Sequence, residues 1–464
     1  MNRIVTVVYD DTRKPGRDIA VITGNKSFGQ TIYKRKTLRE RVEEAFLEMK
    51  NVSFCIAGSK EMTSLKDTPV ILYYSDFGIA DKKGLETIVY KAGFAHENYK
   101  VTKDGRIACV IFNDEKSFYT ASMADFDKYT EIVSDAFTDL SDPANFRSFI
   151  TGGFDARFFN SITGDEYTVV KNSPKKEKIK AEYEFYGLLP DDMKQWFVRP
   201  FDYKEDENGA EYKMQRFHMV DLAVRYVHGS ISPEEFEEIL KQLFTFLASR
   251  KSKSVSKEEY EDKAKKLYVT KVSDRIAQLK GMSGYDRIAG LIESATPYKD
   301  IDEIFARYER LYNTIRKDGS FKYEEVVSHG DMCFSNILYS NADLFTVLID
   351  PKGAMTEDEL YMDPYYDIAK LSHSICGHYD FLNSDLYEIE IDENMMARLK
   401  VDADNRQYVA IFAEHLLKAG IDLRLIRLYE TSLFLSMLPY HMDRPKKVFG
   451  FVLNALAIMD SLEN

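Results

Sequence analysis

Tryptophan occurs once and cysteine only four times in 464 residues. The cysteines (Cys55, Cys109, Cys333 and Cys376) are far apart and form no CxxC pair, which argues against a disulfide framework or a zinc site and fits a reducing cytosol. Long apolar runs are missing too: none approaches the roughly 18 residues a membrane span requires. The opening segment MNRIVTVVYDD holds only the short run Ile4–Tyr9 before two aspartates. A signal peptide needs an apolar stretch of about 7–15 residues, so this one reads as a first β-strand. Base is in short supply, with 63 Lys and Arg against 76 Asp and Glu and a net charge of −13. That excludes the basic footprint of a non-specific nucleic-acid binder. The expectation is a cytoplasmic protein with no membrane span and no nucleic-acid partner.

What is present is core material: 44% apolar residues, including 30 Phe and 30 Tyr, far from a disordered composition. At roughly 150 residues per domain the length allows two or three domains. Residues 1–140 alternate strand-like runs (Ile4–Tyr9, Val70–Tyr74, Ile107–Phe112) with helical stretches (Thr37–Lys50, Leu85–Ala92), the pattern of a small α/β layer. Thr37 and Glu40 have capping-box spacing. A break is expected in DLSDPA, near 139–144. Beyond it, Phe149–Ile162 and Glu166–Lys171 are spaced like a hairpin, and Lys175–Leu189 reads as a charged helix. After Lys213 the chain becomes helical over Pro233–Arg250, Lys257–Leu279, Ile301–Arg316, Asn394–Ala419, Leu423–Leu438 and Lys447–Leu462. One β-rich interval interrupts the helices, from Val326 to Gly353.

That interval reads VVSHGDMCFSNILYSNADLFTVLIDPKGA. Ile337–Tyr339 and Phe345–Ile349 flank a turn and would pair as a hairpin. Asp331 and Asn336 lie in the loop before the first strand, and Asp350 closes the second, fourteen residues after Asn336. Two carboxylates and an amide thus converge at one end of a hairpin, a set of hard oxygen ligands of the kind Mg²⁺ takes beside phosphate oxygens.

HGDxxxxN followed by an Ile-Asp pair resembles the catalytic and metal-binding loops of aminoglycoside phosphotransferase-like and choline kinase-like enzymes, small-molecule relatives of the protein kinases. The resemblance implies that Asp331 orients and deprotonates an acceptor hydroxyl, that His329 braces the loop, and that Asn336 and Asp350 hold Mg²⁺ against the phosphates of ATP. It also places Lys171, in the strand YTVVK, on the nucleotide phosphates. Glu182 falls where the lysine-pairing glutamate of these kinases stands, with Glu177 and Glu184 as neighbours that could take its role. Gly152 and Gly153 could bring backbone amides to phosphate. Met214, Gln215 and Arg216 look like the strand-to-hinge segment that faces adenine. Asp367, in DPYYDIAKL, matches an aspartate that supports the catalytic loop. Only twelve residues separate Asp350 from Asp363, too few for a protein-kinase activation segment, so a small-molecule acceptor is expected.

The expected fold is α+β: a bilobal protein-kinase-like unit behind a small α/β domain. Residues 145–216 would form a β-rich N-lobe and hinge, and 217–464 a helical C-lobe. Residues 1–140 resemble a degenerate nucleotidyltransferase, with Asp76 at the end of PVILYYSD where such a domain carries a metal-binding acid. The glycine-rich loop that would hold a triphosphate is absent after the first strand. The expected activity is an ATP- and Mg²⁺-dependent phosphotransferase acting on a hydroxyl of an amino-alcohol, sugar or aminoglycoside-like compound, of the type associated with bacterial capsule and lipopolysaccharide assembly. A catalytically silent kinase-like binding module and a bifunctional nucleotidyltransferase–kinase are the alternatives.

Overall fold

A computed structural model describes residues 3–33, 35–65, 68–152, 161–165, 167–319 and 321–463. The chain divides into two compact units: residues 1–155 with 225–230, and residues 156–224 with 231–464.

Among the described residues the first unit carries a six-stranded mixed sheet, ordered Val52–Ile56, Val5–Asp10, Val70–Tyr74, Arg106–Phe112, Tyr99–Lys103 and Thr130–Val133. The first three strands are parallel, and Arg106–Phe112 runs antiparallel to both of its neighbours. Val5 to Tyr9 are all buried, as expected of a strand covered on both faces. The helix Leu38–Leu47 starts where its cap dictates: Thr37 Oγ1 accepts from Glu40 N, and Glu40 Oε2 accepts from Thr37 N. The helix Pro143–Gly152 also belongs to this unit. Phe149–Gly152, expected to open a hairpin, therefore ends a helix instead. The distant segment Arg225–Ser230 is tied in by Arg225 Nε donating to Val21 O at 3.1 Å and His228 Nε2 accepting from Ile32 N at 2.8 Å.

The second unit begins with an antiparallel sheet ordered Ser161–Gly164, Thr168–Ser173, Ala210–Gln215, Pro200–Glu205. The helix Lys176–Leu188 packs on it through Ile179 against Ala210 and Tyr212. The remainder is mainly helical. Leu423–Met437 and Pro445–Glu463 are buried almost all round, so they form the centre of the core and not its surface. Lys257–Lys280 is one continuous helical run, but its middle, Lys266–Thr270, is a π-turn. There the Tyr268 carbonyl takes the Tyr308 hydroxyl at 3.0 Å, and the Tyr268 ring stacks on Tyr429 at 3.7 Å. The hairpin Ile337–Ser340 with Phe345–Leu348 forms as the sequence implies and is joined by Val220–Asp221. The expectation of a helix over Asn394–Ala419 is half wrong. Ala397–Lys400 pairs with Glu388–Ile391 as a hairpin, and the helix covers only Arg406–Lys418.

Candidate active site

The lysine-bearing end of the candidate site is built by two adjacent elements of the second unit. Lys171 lies inside the strand Thr168–Ser173, opposite Ile162 and Tyr212, and its ammonium is buried. Its Nζ stands 2.6 Å from Glu182 Oε2 and 2.8 Å from Asp350 Oδ1. Glu182, not Glu177 or Glu184, is therefore the glutamate that meets Lys171, and Tyr212 donates to it as well. Burial alone would discharge Lys171, but Asp350, Tyr212 and Glu182 outweigh it and raise its pKa above the ordinary lysine value. Burial would likewise raise Asp350. The Lys171 ammonium overcomes that and holds the carboxyl below the usual range. Asp350 adopts a left-handed backbone, φ 56°, a conformation costly for a residue with a Cβ and a frequent mark of a functional position.

The loop Ser328–Asn336 is fastened from below. Asp367, fully buried on the helix Tyr366–Ile375, accepts from His329 N at 3.0 Å and from Gly330 N at 2.8 Å. Arg250 neutralises it, with Nη1 at 3.3 Å. Gly330 has φ 79°, and a Cβ there would come within 2.6 Å of the Lys352 Cβ, so the position admits glycine alone without rearrangement. The His329 tautomer follows from its partners. Asp331 N can only donate, so Nδ1 accepts at 3.1 Å; Nε2 then carries the proton and donates to Ile349 O at 2.8 Å. Phe197 stacks on the ring. The histidine thus ties the Asp331 loop to the strand that leads into Asp350.

Asn336 spends its Nδ2 on Asp331, at 2.7 Å from the carbonyl and 3.2 Å from Oδ2. The amide is thereby oriented and its oxygen kept free of that pair. The Asn336 amide oxygen and the Asp350 carboxylate are hard oxygen donors of the kind Mg²⁺ takes. Among the described residues, no group of three or more His, Cys, Asp or Glu is placed to hold a metal ion.

The sequence reading missed Lys370. Its Nζ lies 2.8 Å from Asp331 Oδ1, and its side chain is 12% exposed. Burial would lower its pKa, but the Asp331 carboxylate and the Tyr366 phenol raise it, so the ammonium stays charged. A signal was available: Lys370 lies three residues after Asp367 on one helix, so both address the same loop. Arg250, at the far end of another helix, offered none.

The remaining residues singled out from the sequence take the following places. Gly152 closes the helix Pro143–Gly152 of the first unit and does not open a strand, and Gly153 lies outside the described residues. Met214 and Gln215 end the strand Ala210–Gln215, with Met214 opposite Val169, and Arg216 N donates to Tyr167 O. Asp76, in the first unit, is clamped by Arg13 Nη1 at 2.9 Å and Arg106 Nη2 at 2.6 Å, so its charge is already matched by two guanidiniums. His373 is fully buried between the rings of Tyr379 and Phe434, with no hydrogen-bond partner on either nitrogen among the described residues.

The sequence model of the phosphotransferase enzyme family matches residues 147–383, just over half of the chain. The chain belongs to that family. The match spans Lys171, Glu182, Asp331, Asn336, Asp350 and Asp367 together. As a member of that family it is a phosphotransferase. No curated protein sequence matches the phosphotransferase. Among solved structures it is similar to the aminoglycoside phosphotransferase APH(3'')-Id from Streptomyces rimosus ATCC10970, at 15% identity over 64% of this chain and 98% of that one, TM-score 0.35. It is also similar to a thermostable mutant of the aminoglycoside phosphotransferase APH(4)-Ia, at 12% identity over 68% and 98% of the two chains, TM-score 0.37. An aminoglycoside-3'-phosphotransferase of type VIII matches at 13% identity over 62% and 97%, TM-score 0.35.

Proposed function

We propose that this phosphotransferase moves the γ-phosphoryl group of ATP, in a Mg²⁺-dependent reaction, to a hydroxyl of a small molecule in surface-glycan chemistry. The observation that carries the reading is the ion-pair set Lys171–Glu182 and Lys171–Asp350, in the same unit as the braced Asp331 loop. Lys171 holds the nucleotide phosphates and Glu182 fixes the direction of its ammonium. The acceptor oxygen forms a bond to the γ-phosphorus while the bond to the β–γ bridging oxygen breaks, and ADP leaves. The hydroxyl proton passes to Asp331, which Asn336 and Lys370 keep in one orientation. When bound, Mg²⁺ would offset the charge of the nucleotide phosphates; Asn336 and Asp350 are the residues that would hold it. Most of the acceleration would be positioning and charge neutralisation.

The test is an ATP-consumption screen over amino-alcohols, sugars, alditols and aminoglycosides, with product masses and calorimetry of ATP with Mg²⁺. A product heavier by one phosphoryl group is expected. A chain that binds no nucleotide would overturn the proposal and favour a silent binding module.

A further inference from the structure

The groups beside Asp331 decide which acceptors can approach it, and they are cationic. Lys370 contacts the carboxylate directly. Tyr366, four residues earlier on the same helix, takes a hydrogen bond at 3.2 Å from Lys271, which begins the helix directly after the π-turn. Burial would raise the Tyr366 phenol, but the two ammonium groups flanking it outweigh that and lower it. The series Asp331, Lys370, Tyr366, Lys271 thus carries one negative and two positive charges. Among the described residues, Lys271 has no carboxylate within ion-pair distance.

Lys271 also lines a cavity of about 390 Å³, the size of a small-molecule site. The acids in its wall are already neutralised. Glu325 takes Lys263 at 2.8 Å and Lys253 at 3.4 Å, and Asp358 is paired with Lys253. Asp363 is 7% exposed, and burial raises its carboxyl above the ordinary value. Its Oδ1 accepts from the Tyr268 hydroxyl and from Tyr365 N, and the Tyr260 hydroxyl also acts on this carboxyl. Among the described residues, the ammonium groups of this wall outside any ion pair are those of Lys266 and Lys271. A cationic acceptor would meet Lys370 and Lys271 head-on. An anion would offset the charge of Lys266 and Lys271.

We propose that the acceptor is a hydroxylated anion, a small molecule whose phosphate or carboxylate group is held in this cavity by Lys271 and Lys266 while its hydroxyl reaches Asp331. This rests on the phosphotransferase reading above. The negative charge of the whole chain makes such a local cationic site the means by which an anion is admitted.

The test uses the full chain with Mg²⁺ and matched acceptors: free hexoses, their 6-phosphates, the corresponding uronates and the amino sugars. At least one anionic member is expected to show kcat/KM roughly ten- to hundredfold above its neutral parent, the range of one charge-assisted hydrogen bond. Lys271→Gln should erase that ratio. The 6-phosphate and uronate arms separate a phosphate from a carboxylate acceptor. Preference for neutral or amino sugars, or a ratio untouched by Lys271→Gln, would overturn the proposal. Calorimetry of the same compounds, with a non-hydrolysable ATP analogue present, reads the cavity independently of turnover. Lys271-dependent anion binding without phosphoryl transfer would sustain the anion site and sink the phosphotransfer reading. Transfer without anion binding would do the reverse. If Lys271→Gln fails to fold, Lys266→Gln on the exposed rim should weaken anion binding in the same direction.

Discussion

At the residue scale, three side chains share the work of fixing Asp331: Asn336 and Lys370 by direct contact, and His329 through the backbone. Asp331→Asn should leave nucleotide binding intact by calorimetry and lower kcat by roughly two to four orders of magnitude, the range for loss of a general base. Lys370→Met should lower kcat with little change in the KM for nucleotide. In the Asp331→Asn background it should add almost nothing, because residues acting through one another are not additive. A full multiplicative loss in the double variant would show that Lys370 acts separately. Lys171 leads to a pH prediction. Its pKa is raised above the ordinary lysine value, so its charge persists until the pH exceeds that value. Nucleotide affinity should therefore show no alkaline loss up to about pH 10, measured by calorimetry.

At the element scale, the segment after Asp350 docks on the helix that carries Glu182. Ala354 N donates to Ala181 O at 3.0 Å, and Gly353, φ 88°, leaves so little room that a Cβ would lie 2.9 Å from the Ala181 carbonyl carbon. The segment after Asp350 and the Glu182 helix are thus held in fixed relation. Gly353→Ala should weaken nucleotide binding roughly tenfold or more, since both backbone strain and a clash displace Glu182 from Lys171. An unchanged affinity in a stable variant would show that the two elements are not coupled. Legibility at this scale varied for physical reasons. The Thr37–Glu40 capping box and the Ile337–Leu348 hairpin rest on neighbours in sequence and could be read directly. The hairpin at Glu388–Lys400 could not. Its strands are four residues long, too short to separate period two from a helical face, and the Asp392 side chain that fixes the turn does so by accepting from Asn394 N and Met396 N. The π-turn at Lys266–Thr270 likewise has no local signature.

At the scale of the whole molecule, buried acids set the pH dependence of stability. Asp221 and Asp380 are raised by burial to about 7, and so is Glu430 despite its contacts with Arg427 and Ser372. Between about pH 4 and 7 these groups are protonated in the folded chain and ionised in the unfolded one. The folded state binds more protons, so its stability falls as pH rises through this window. The melting temperature should be lower at pH 8 than at pH 5.5, and Asp380→Asn should flatten the difference in a thermal scan. The sequence by itself determined the phosphotransferase family, the HGDxxxxN loop, Asp350 and the lysine-bearing strand, because each depends on residue types at fixed local spacing. The tertiary structure alone decided that Glu182 and not its neighbours meets Lys171, that Lys370 sits on Asp331, and that Lys271 reaches Tyr366 on the Lys370 helix. Those facts depend on side chains brought together across 11 to 179 positions of chain, where no local pattern records which helix face will turn inward.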